Sequence, residues 1–176
     1  VRTLTDHLAG YAEYHRDRRN IATHLVGVPT IVFAVMVLLS RPTLFAIGDL
    51  AVTPALVAGL AAIAWYVSLD RPLGLLMAAL FAVGLVAAAP LAAGSASAWL
   101  GWGAGLFVVG WIVQFVGHAW EGRKPAFVDD VIGLLVGPLF VVAEVLFALG
   151  LRRGLREAIE SRAGPTRTGH AGGAAA

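Results

Sequence analysis

The segment PLGLLMAALFAVGLVAAAPLAA, residues 72–93, carries no charged side chain, and its reading decides the fold. A helix rises about 1.5 Å per residue, so about 20 apolar residues match a hydrocarbon core about 30 Å thick. Lipid cannot satisfy backbone polar groups, so the stretch reads as a transmembrane helix rather than a strand. The neighbouring sequence repeats the pattern. Between Ile21 and Trp120 only Arg41, Asp49, Asp70 and Arg71 are charged, and they separate apolar pieces near Ile21–Leu39, Leu50–Leu69, Pro72–Ala93 and Ala98–Val116. A fifth piece runs from Val131 to Leu151. Arg41-Pro42 and Asp70-Arg71-Pro72 mark short turns with proline at a helix start. The expected fold class is therefore all-α: a polytopic helical membrane protein with about four crossing helices, a re-entrant or fifth helical segment, and an N-terminal interfacial helix.

Composition agrees. Of 176 residues 59% are hydrophobic and 14% charged, against about 25% charged in soluble domains, too few to cover a globular surface in water. The 21 glycines have no triplet period, which excludes a collagenous chain. No cysteine is present, which excludes disulfides, thiolate metal sites and cysteine nucleophiles. The formal charge of +2 does not indicate nucleic acid, because Lys and Arg sit in short clusters between apolar runs, as in loops flanking membrane spans. Neither a cleavable signal peptide nor an internal repeat is expected. Trp65, Trp99, Trp102, Trp111 and Trp120 read mostly as interface anchors. Gly101/Gly105 and Gly133/Gly137 have the spacing that lets membrane helices approach closely.

Charge placement bears on orientation. Five crossings would put Arg2, Arg16, Arg18, Arg19, Arg71, Arg123 and Lys124 on one side. Arg41, Arg152, Arg153, Arg156, Arg162 and Arg167 would lie on the other, a near-even split that contradicts the cytoplasmic bias of basic residues. If the fifth piece instead turns back at Gly137-Pro138, only Arg41 lies opposite the rest, and both termini are cytoplasmic. Four crossings plus a hairpin is the preferred expectation. Thr3–His15 reads as an amphipathic interfacial helix opened by a Thr3/Asp6 capping box, with Leu4, Leu8, Tyr11 and His15 on one face. A single domain is expected over 1–162, followed by a disordered tail over 163–176 that contains His170.

In so apolar a chain the ionisable groups at membrane boundaries carry the functional signal. His7 reads as a surface residue and Asp129-Asp130 as acids favourable to a helix N-terminus. His24 follows Asn20 by four residues on one helix face, and Gln114, His118 and Glu121 form one stripe at the end of another helix. With His15 just before Asn20, three imidazoles fall at one membrane depth in the preferred topology. Glu144 joins them only if the hairpin forms. Three imidazoles and a carboxylate suit a first-row metal such as Zn, Fe, Cu or Ni. They equally suit polar groups that hydrogen-bond at helix ends, and no regular metal motif is present. No G-x-S-x-G elbow, nucleotide-binding loop or eight-histidine desaturase pattern occurs. A small membrane carrier relaying protons through Glu144, or a non-catalytic scaffold, remains the alternative reading.

Three stretches carry a resemblance: YHRDRRNIATHLVGVP at 14–29, QFVGHAWEGRKPA at 114–126, and Gly137-Pro138-Leu139-Phe140 through Glu144. Together they resemble the 2-hydroxy fatty acid dioxygenase family, over nearly the whole chain except the tail. The resemblance implies an Fe(II)-dependent membrane dioxygenase of fatty acid α-oxidation, which takes a 2-hydroxy fatty acid and O2 to CO2 and the fatty acid one carbon shorter. It needs no 2-oxoglutarate, flavin or nicotinamide, because cleavage releases as many electrons as O2 accepts. It further implies His15, His24 and His118 as iron ligands and Glu121 as a fourth ligand or an outer partner. Asn20, Gln114 and, more weakly, Glu144 would be supporting donors. Arg16, Arg18, Arg19 or Arg123 would steer the acid headgroup or simply mark the cytoplasmic side. The partners implied are the lipid bilayer, the hydroxy acid and O2, in a bacterial inner membrane, with no nucleic acid.

Overall fold

A computed structural model describes residues 2–168. Among these the chain forms seven α-helices and one short antiparallel hairpin: α1 (Leu4–Ala12), α2 (Arg18–Ser40), β1 (Phe45–Ile47), β2 (Leu50–Val52), α3 (Pro54–Leu69), α4 (Arg71–Ala93), α5 (Ala96–Glu121), α6 (Gly133–Ala148) and α7 (Arg153–Ala163). A 3-10 turn, Ala126–Val128, precedes α6. The protein is thus an all-α membrane protein. Helices α2, α4 and α5 are long and apolar enough to cross a bilayer, α3 is a shorter apolar helix, and α6 with α7 passes the same test only as a pair bent by 117°.

The helix starts follow from their caps. Thr3 accepts from the Asp6 N–H at 3.3 Å while the Asp6 carboxylate receives the Thr3 N–H at 2.7 Å, the reciprocal box expected from sequence. Asp70 accepts from the Leu73 N–H at 2.9 Å, with Arg71-Pro72 opening α4. Thr53 does the same for α3 through Leu56, with Pro54 in the first turn. That last signal corrects the expected start at Leu50. Residues 45–52 are instead a hairpin pairing Phe45 with Val52 and Ile47 with Leu50, turned by Gly48 at φ +57° in the position that favours glycine. The remaining 16-residue α3 is only about 24 Å long.

A second correction concerns α6. The expected reversal at Gly137-Pro138 does not occur, because Pro138 lies inside a continuous helix. Pro138 is the sixth residue of α6, past the donors that a helix start leaves unpaired, so the helix runs on at the loss of one interior backbone hydrogen bond. The chain turns after α6 instead, where Gly150 at φ +75° and Arg152 at φ +55° take left-handed conformations.

The chain divides into two compact units, residues 1–25 with 113–176, and residues 26–112. In the second unit α3 packs along α4, and Met36, Val37 and Ala88 form a buried cluster flanked by Phe33, Phe81, Leu85 and Trp99. The Trp99 indole donates to Val37 O at 2.9 Å and lies under the Arg41 guanidinium, which donates to Gly94 O at 2.8 Å. Leu75, Val83, Val86, Leu100, Val108 and Ile112 are exposed, an outward apolar surface suited to lipid. The expected close approach at Gly101 and Gly105 is absent, since both face open space. Gly103 and Gly110 of the same helix make it instead, against Leu38 and Ile31.

In the first unit α1 buries Leu4, Leu8, Ala9 and Ala12 and packs against both α6 and α7. An Asp6–Arg162 ion pair of 2.5 Å ties α1 to α7, and the Thr3 N–H and Arg162 hold the Asp6 carboxyl well below the usual carboxylate range. Residues 163–168, expected as the start of a disordered tail, are in place: Arg167 N–H donates to Arg16 O at 2.7 Å and Arg18 N–H to Arg167 O at 3.1 Å. Residues 169–176, with His170, lie outside the described residues.

The tightest helix approach in this unit is at Gly117. A Cβ there would lie 2.0 Å from Thr23 Oγ1 and 2.4 Å from Asn20 Oδ1. Gly117→Val should therefore lower stability by about 1–3 kcal/mol. Gly101→Ala, placed in open space, should be neutral or stabilising by up to about 1 kcal/mol. Paired unfolding curves of the detergent-solubilised variants check both.

Candidate metal centre

Three segments distant in sequence deliver the site. Helix α1 ends at Ala12, and one further turn places His15 so that its ring Nδ1 lies 2.7 Å from Tyr11 O, a helix-end carbonyl that also accepts from the Tyr14 N–H at 3.2 Å. Helix α2 carries His24 on its second turn, with Nδ1 2.9 Å from Asn20 O. Helix α5 carries His118 on its last turn. All three side chains are buried, and one ring nitrogen from each lies within 4.8 Å of the others. Ring centroids are 4.3 Å apart for His15 and His24, and 5.0 Å from each to His118, with the planes steeply inclined to one another. Tyr11 stacks on His15 at 4.2 Å, and Phe140 closes on the same ring at 5.6 Å.

The hydrogen bonds fix the tautomers. A carbonyl oxygen can only accept, so the Nδ1 atoms of His15 and His24 both carry protons. Their Nε2 atoms then present bare lone pairs, and these face each other at 2.9 Å. No hydrogen bond joins two neutral rings in that state, and a cation between them would relieve the opposed lone pairs. A proton would serve only by making one ring an imidazolium. Burial above all, and then the His24 imidazole, push His15 well below its ordinary 6.5 and oppose this. A first-row metal fits: two nitrogens each about 2.1 Å from one ion and about 90° apart lie about 3 Å from each other. His118 is buried as well, with the Arg123 backbone as its polar neighbour.

The remaining candidates surround this group without joining it. Glu121 is fully buried, and its oxygens accept from the Asp17 N–H at 2.7 Å, from Asn20 Nδ2 at 3.2 Å and from the Arg167 guanidinium. Asn20 also donates to Tyr14 O at 3.2 Å. Gln114 is buried one turn before His118. Glu144 lies apart from the imidazoles. With α6 unbroken at Pro138, it lines a small cavity with Arg16, Arg156 and Glu160.

Three of the four candidate basic residues are anchored rather than free. Arg16 donates to Ala12 O at 2.8 Å and Gly164 O at 2.8 Å, Arg19 pairs with Asp17 at 2.9 Å, and Arg123 donates to Glu13 O at 2.9 Å. His7 lines an open cavity of about 370 Å³ between α1 and residues 126–136, which also reaches Tyr11. Sequence reasoning did not find Tyr11 as a stacking partner, although it noted Tyr11 on the His15 face. Arg167 gave no signal, standing alone in a low-complexity stretch.

Fold and site together define a class, the polytopic helical membrane protein with a buried three-histidine group. Within it, the chain belongs to the Mpo1-like family, whose model, described as 2-hydroxy-palmitic acid dioxygenase Mpo1-like, matches residues 1–149. Over 159 residues it is 31% identical to the 2-hydroxy-palmitic acid dioxygenase MPO1 of Saccharomyces cerevisiae, covering 89% of this chain and 87% of the yeast protein. No solved structure shows significant similarity.

The protonation of His15 has a measurable consequence. Its pKa is depressed on folding, so below 6.5 the unfolded chain binds a proton that the folded one does not. The stabilisation is complete above pH 6.5 and is lost as pH falls through the folded value. The metal-free protein should therefore lose stability on acidification from pH 7 to 5, by at most about 1.4 kcal/mol per pH unit from this residue. His15→Gln should flatten that slope in denaturation curves measured across the range.

Proposed function

We propose that the protein is an Fe(II)-dependent dioxygenase of fatty acid α-oxidation. It would convert a 2-hydroxy fatty acid and O2 to the fatty acid one carbon shorter, CO2 and water. Carbon, oxygen and electrons balance without a further reductant: the bond between the carboxyl carbon and the hydroxylated carbon breaks, and O2 takes up the electrons released. The observation that carries the reading is the convergence of His15, His24 and His118, with two bare imidazole nitrogens 2.9 Å apart. The family membership and the yeast relative's name indicate the substrate class.

His15, His24 and His118 would hold the iron through neutral imidazoles, the common ligand type for such metals. Bound iron supplies the one-electron chemistry that lets triplet O2 react with a closed-shell substrate. Tyr11 O and Asn20 O orient two of the rings by accepting their Nδ1 protons, which fixes Nε2 as the ligating atom. Tyr11 and Phe140 cover His15 and keep water from its ring. Glu121 serves as an outer partner rather than a ligand, since its oxygens are engaged by Asp17, Asn20 and Arg167. Gln114, on the helix that carries His118, would be a polar group available to the substrate's head. The acyl chain would lie along apolar helix surface or in lipid, contributing about 0.8 kcal/mol per buried CH2.

The membrane arrangement belongs to the same reading. In the first unit α1 packs on α7, and Asp6 pairs with Arg162, so both ends of the chain meet. This supports both termini lying on one side, the cytoplasmic side of a bacterial inner membrane by the distribution of basic residues. Residues 1–162 would form the membrane-embedded catalytic domain, with contributions from 163–168.

Purified protein supplied with Fe(II), O2 and 2-hydroxypalmitate should release CO2 and the acid one carbon shorter in equal amounts. His24→Ala and His118→Ala should each bring turnover to background and abolish iron retention, read by metal analysis. Full activity in either variant would refute the ligand assignment.

A further inference from the structure

The segment after α7 makes contacts that the reading above does not use. Gly164 O accepts from the Arg16 guanidinium at 2.8 Å, Arg167 N–H donates to Arg16 O at 2.7 Å, and Arg18 N–H donates to Arg167 O at 3.1 Å. Residues 17 and 167 thereby pair as an isolated parallel bridge. The loop bridged in this way, residues 15–18, begins with His15 and leads into α2, which carries Asn20 and His24. The Arg167 side chain then reaches across to Glu121, three residues past His118 on α5. One short segment thus bonds to the loop bearing His15, to the start of the helix bearing His24, and to the end of the helix bearing His118. It lies past residue 149, where the family match ends.

We propose that Gly164–Arg167 is a positioning strap for the metal centre, and that Arg167 acts through Glu121 to set His118 against His15 and His24. The inference rests on the metal-binding reading of those histidines. The electrostatics give the strap its strength. Glu121 is fully buried, and an isolated buried carboxylate is strongly disfavoured unless a cation and hydrogen-bond donors surround it. The Asp17 N–H and Asn20 Nδ2 supply donors, but Arg167 is the cation in contact. The Arg167 side chain itself remains about half exposed, so truncating it opens no large internal cavity. Without it, Glu121 keeps two neutral donors and loses its counter-charge, and the end of α5 is released from the 15–18 loop. Arg167 touches neither the imidazoles nor any reacting atom. It is a positioning residue.

The test uses the full-length protein in detergent, with Co(II) as a spectroscopic stand-in and Fe(II) measured by chelator competition. Replacing an outer partner of a metal ligand weakens metal binding by about 10- to 100-fold. Arg167→Ala, one link further from the imidazoles, should raise the metal dissociation constant toward the lower end of that range and shift the Co(II) visible absorption, while far-UV circular dichroism of the metal-free protein shows its helices retained. Arg167→Lys, which keeps the charge but not the planar fork, should recover part of the affinity. In a Glu121→Gln background, where no buried charge needs a partner, Arg167→Ala should add little. Parent-like affinity and spectrum in Arg167→Ala would overturn the strap. So would an equal loss of affinity from Arg167→Ala with and without Glu121→Gln. A parent protein that binds neither Co(II) nor Fe(II) would overturn instead the metal-centre reading on which the strap depends.

Discussion

Two imidazole nitrogens that cannot hydrogen-bond to each other stand 2.9 Å apart inside the protein, and the rest of the site is arranged around that contact. Its origin lies in backbone geometry. His15 and His24 each follow by four residues a carbonyl that their own Nδ1 reaches, Tyr11 O at the end of α1 and Asn20 O in the first turn of α2. Each carbonyl takes a proton and so dictates a tautomer, leaving Nε2 bare on both rings. The rings are buried, so water cannot intervene to relieve the opposed lone pairs. Burial also disfavours an imidazolium, the charged form that would otherwise resolve the conflict. A cation held by neutral nitrogen ligands would resolve it, and His118 stands within reach as a third arm.

Holding such a contact requires the three carrying segments to be fixed independently of the metal. Gly117 lets α5 approach α2 at Asn20 and Thr23 more closely than any side chain would permit. Glu121 gathers a backbone donor of residue 17, the Asn20 amide and Arg167 around one buried carboxylate. Helix α1 is pressed between its own apolar face and the surfaces of α6 and α7, which sets where the His15 turn begins. The polar residues of this unit are thus joined through one another, and only the outermost, such as Arg2 with Asp130, form exposed pairs that contribute little.

Much of this was legible in the sequence, and the parts that were not share a physical cause. Periodicity and length locate α2, α4 and α5, because a bilayer imposes one length on any helix that crosses it. The Thr3/Asp6 box and the helix start with proline at Asp70-Arg71-Pro72 are local, and both form as the sequence suggests. Asn20, His24, His118 and Glu121 stood out by spacing, because residues three or four apart share a helix face, and the structure buries all four. The hairpin at 45–52 escaped because Leu50, Ala51 and Val52 continue an apolar run, and hydropathy alone does not separate strand from helix over so few residues. Pro138 was misread as a turn because proline usually ends or kinks a helix, and the apolar run on either side of it reads the same in a hairpin as in the continuous helix it forms. Arg167 could not be found at all. Its role depends on a partner 46 positions away, and its neighbours in sequence are those of an unstructured tail.

The engagement of Glu121 also bears on which ligand the site favours. A dication held by His15, His24 and His118 alone keeps its full formal charge, because all three ligands are neutral. In a buried setting an uncompensated charge is costly, and the cost falls when an anion enters. Had Glu121 turned inward it would have supplied that anion from the protein and reduced the demand for one from outside. Asp17, Asn20 and Arg167 hold it elsewhere. On the proposed reading, the carboxylate of the 2-hydroxy acid supplies the first compensating charge, halving the net charge of the centre when substrate binds. A neutral fatty alcohol or amide of equal length would bring the same apolar chain without the charge. On that reading, discrimination between acid and neutral analogue would reside in the ligand set, and the hydrocarbon portion would contribute affinity in proportion to its length.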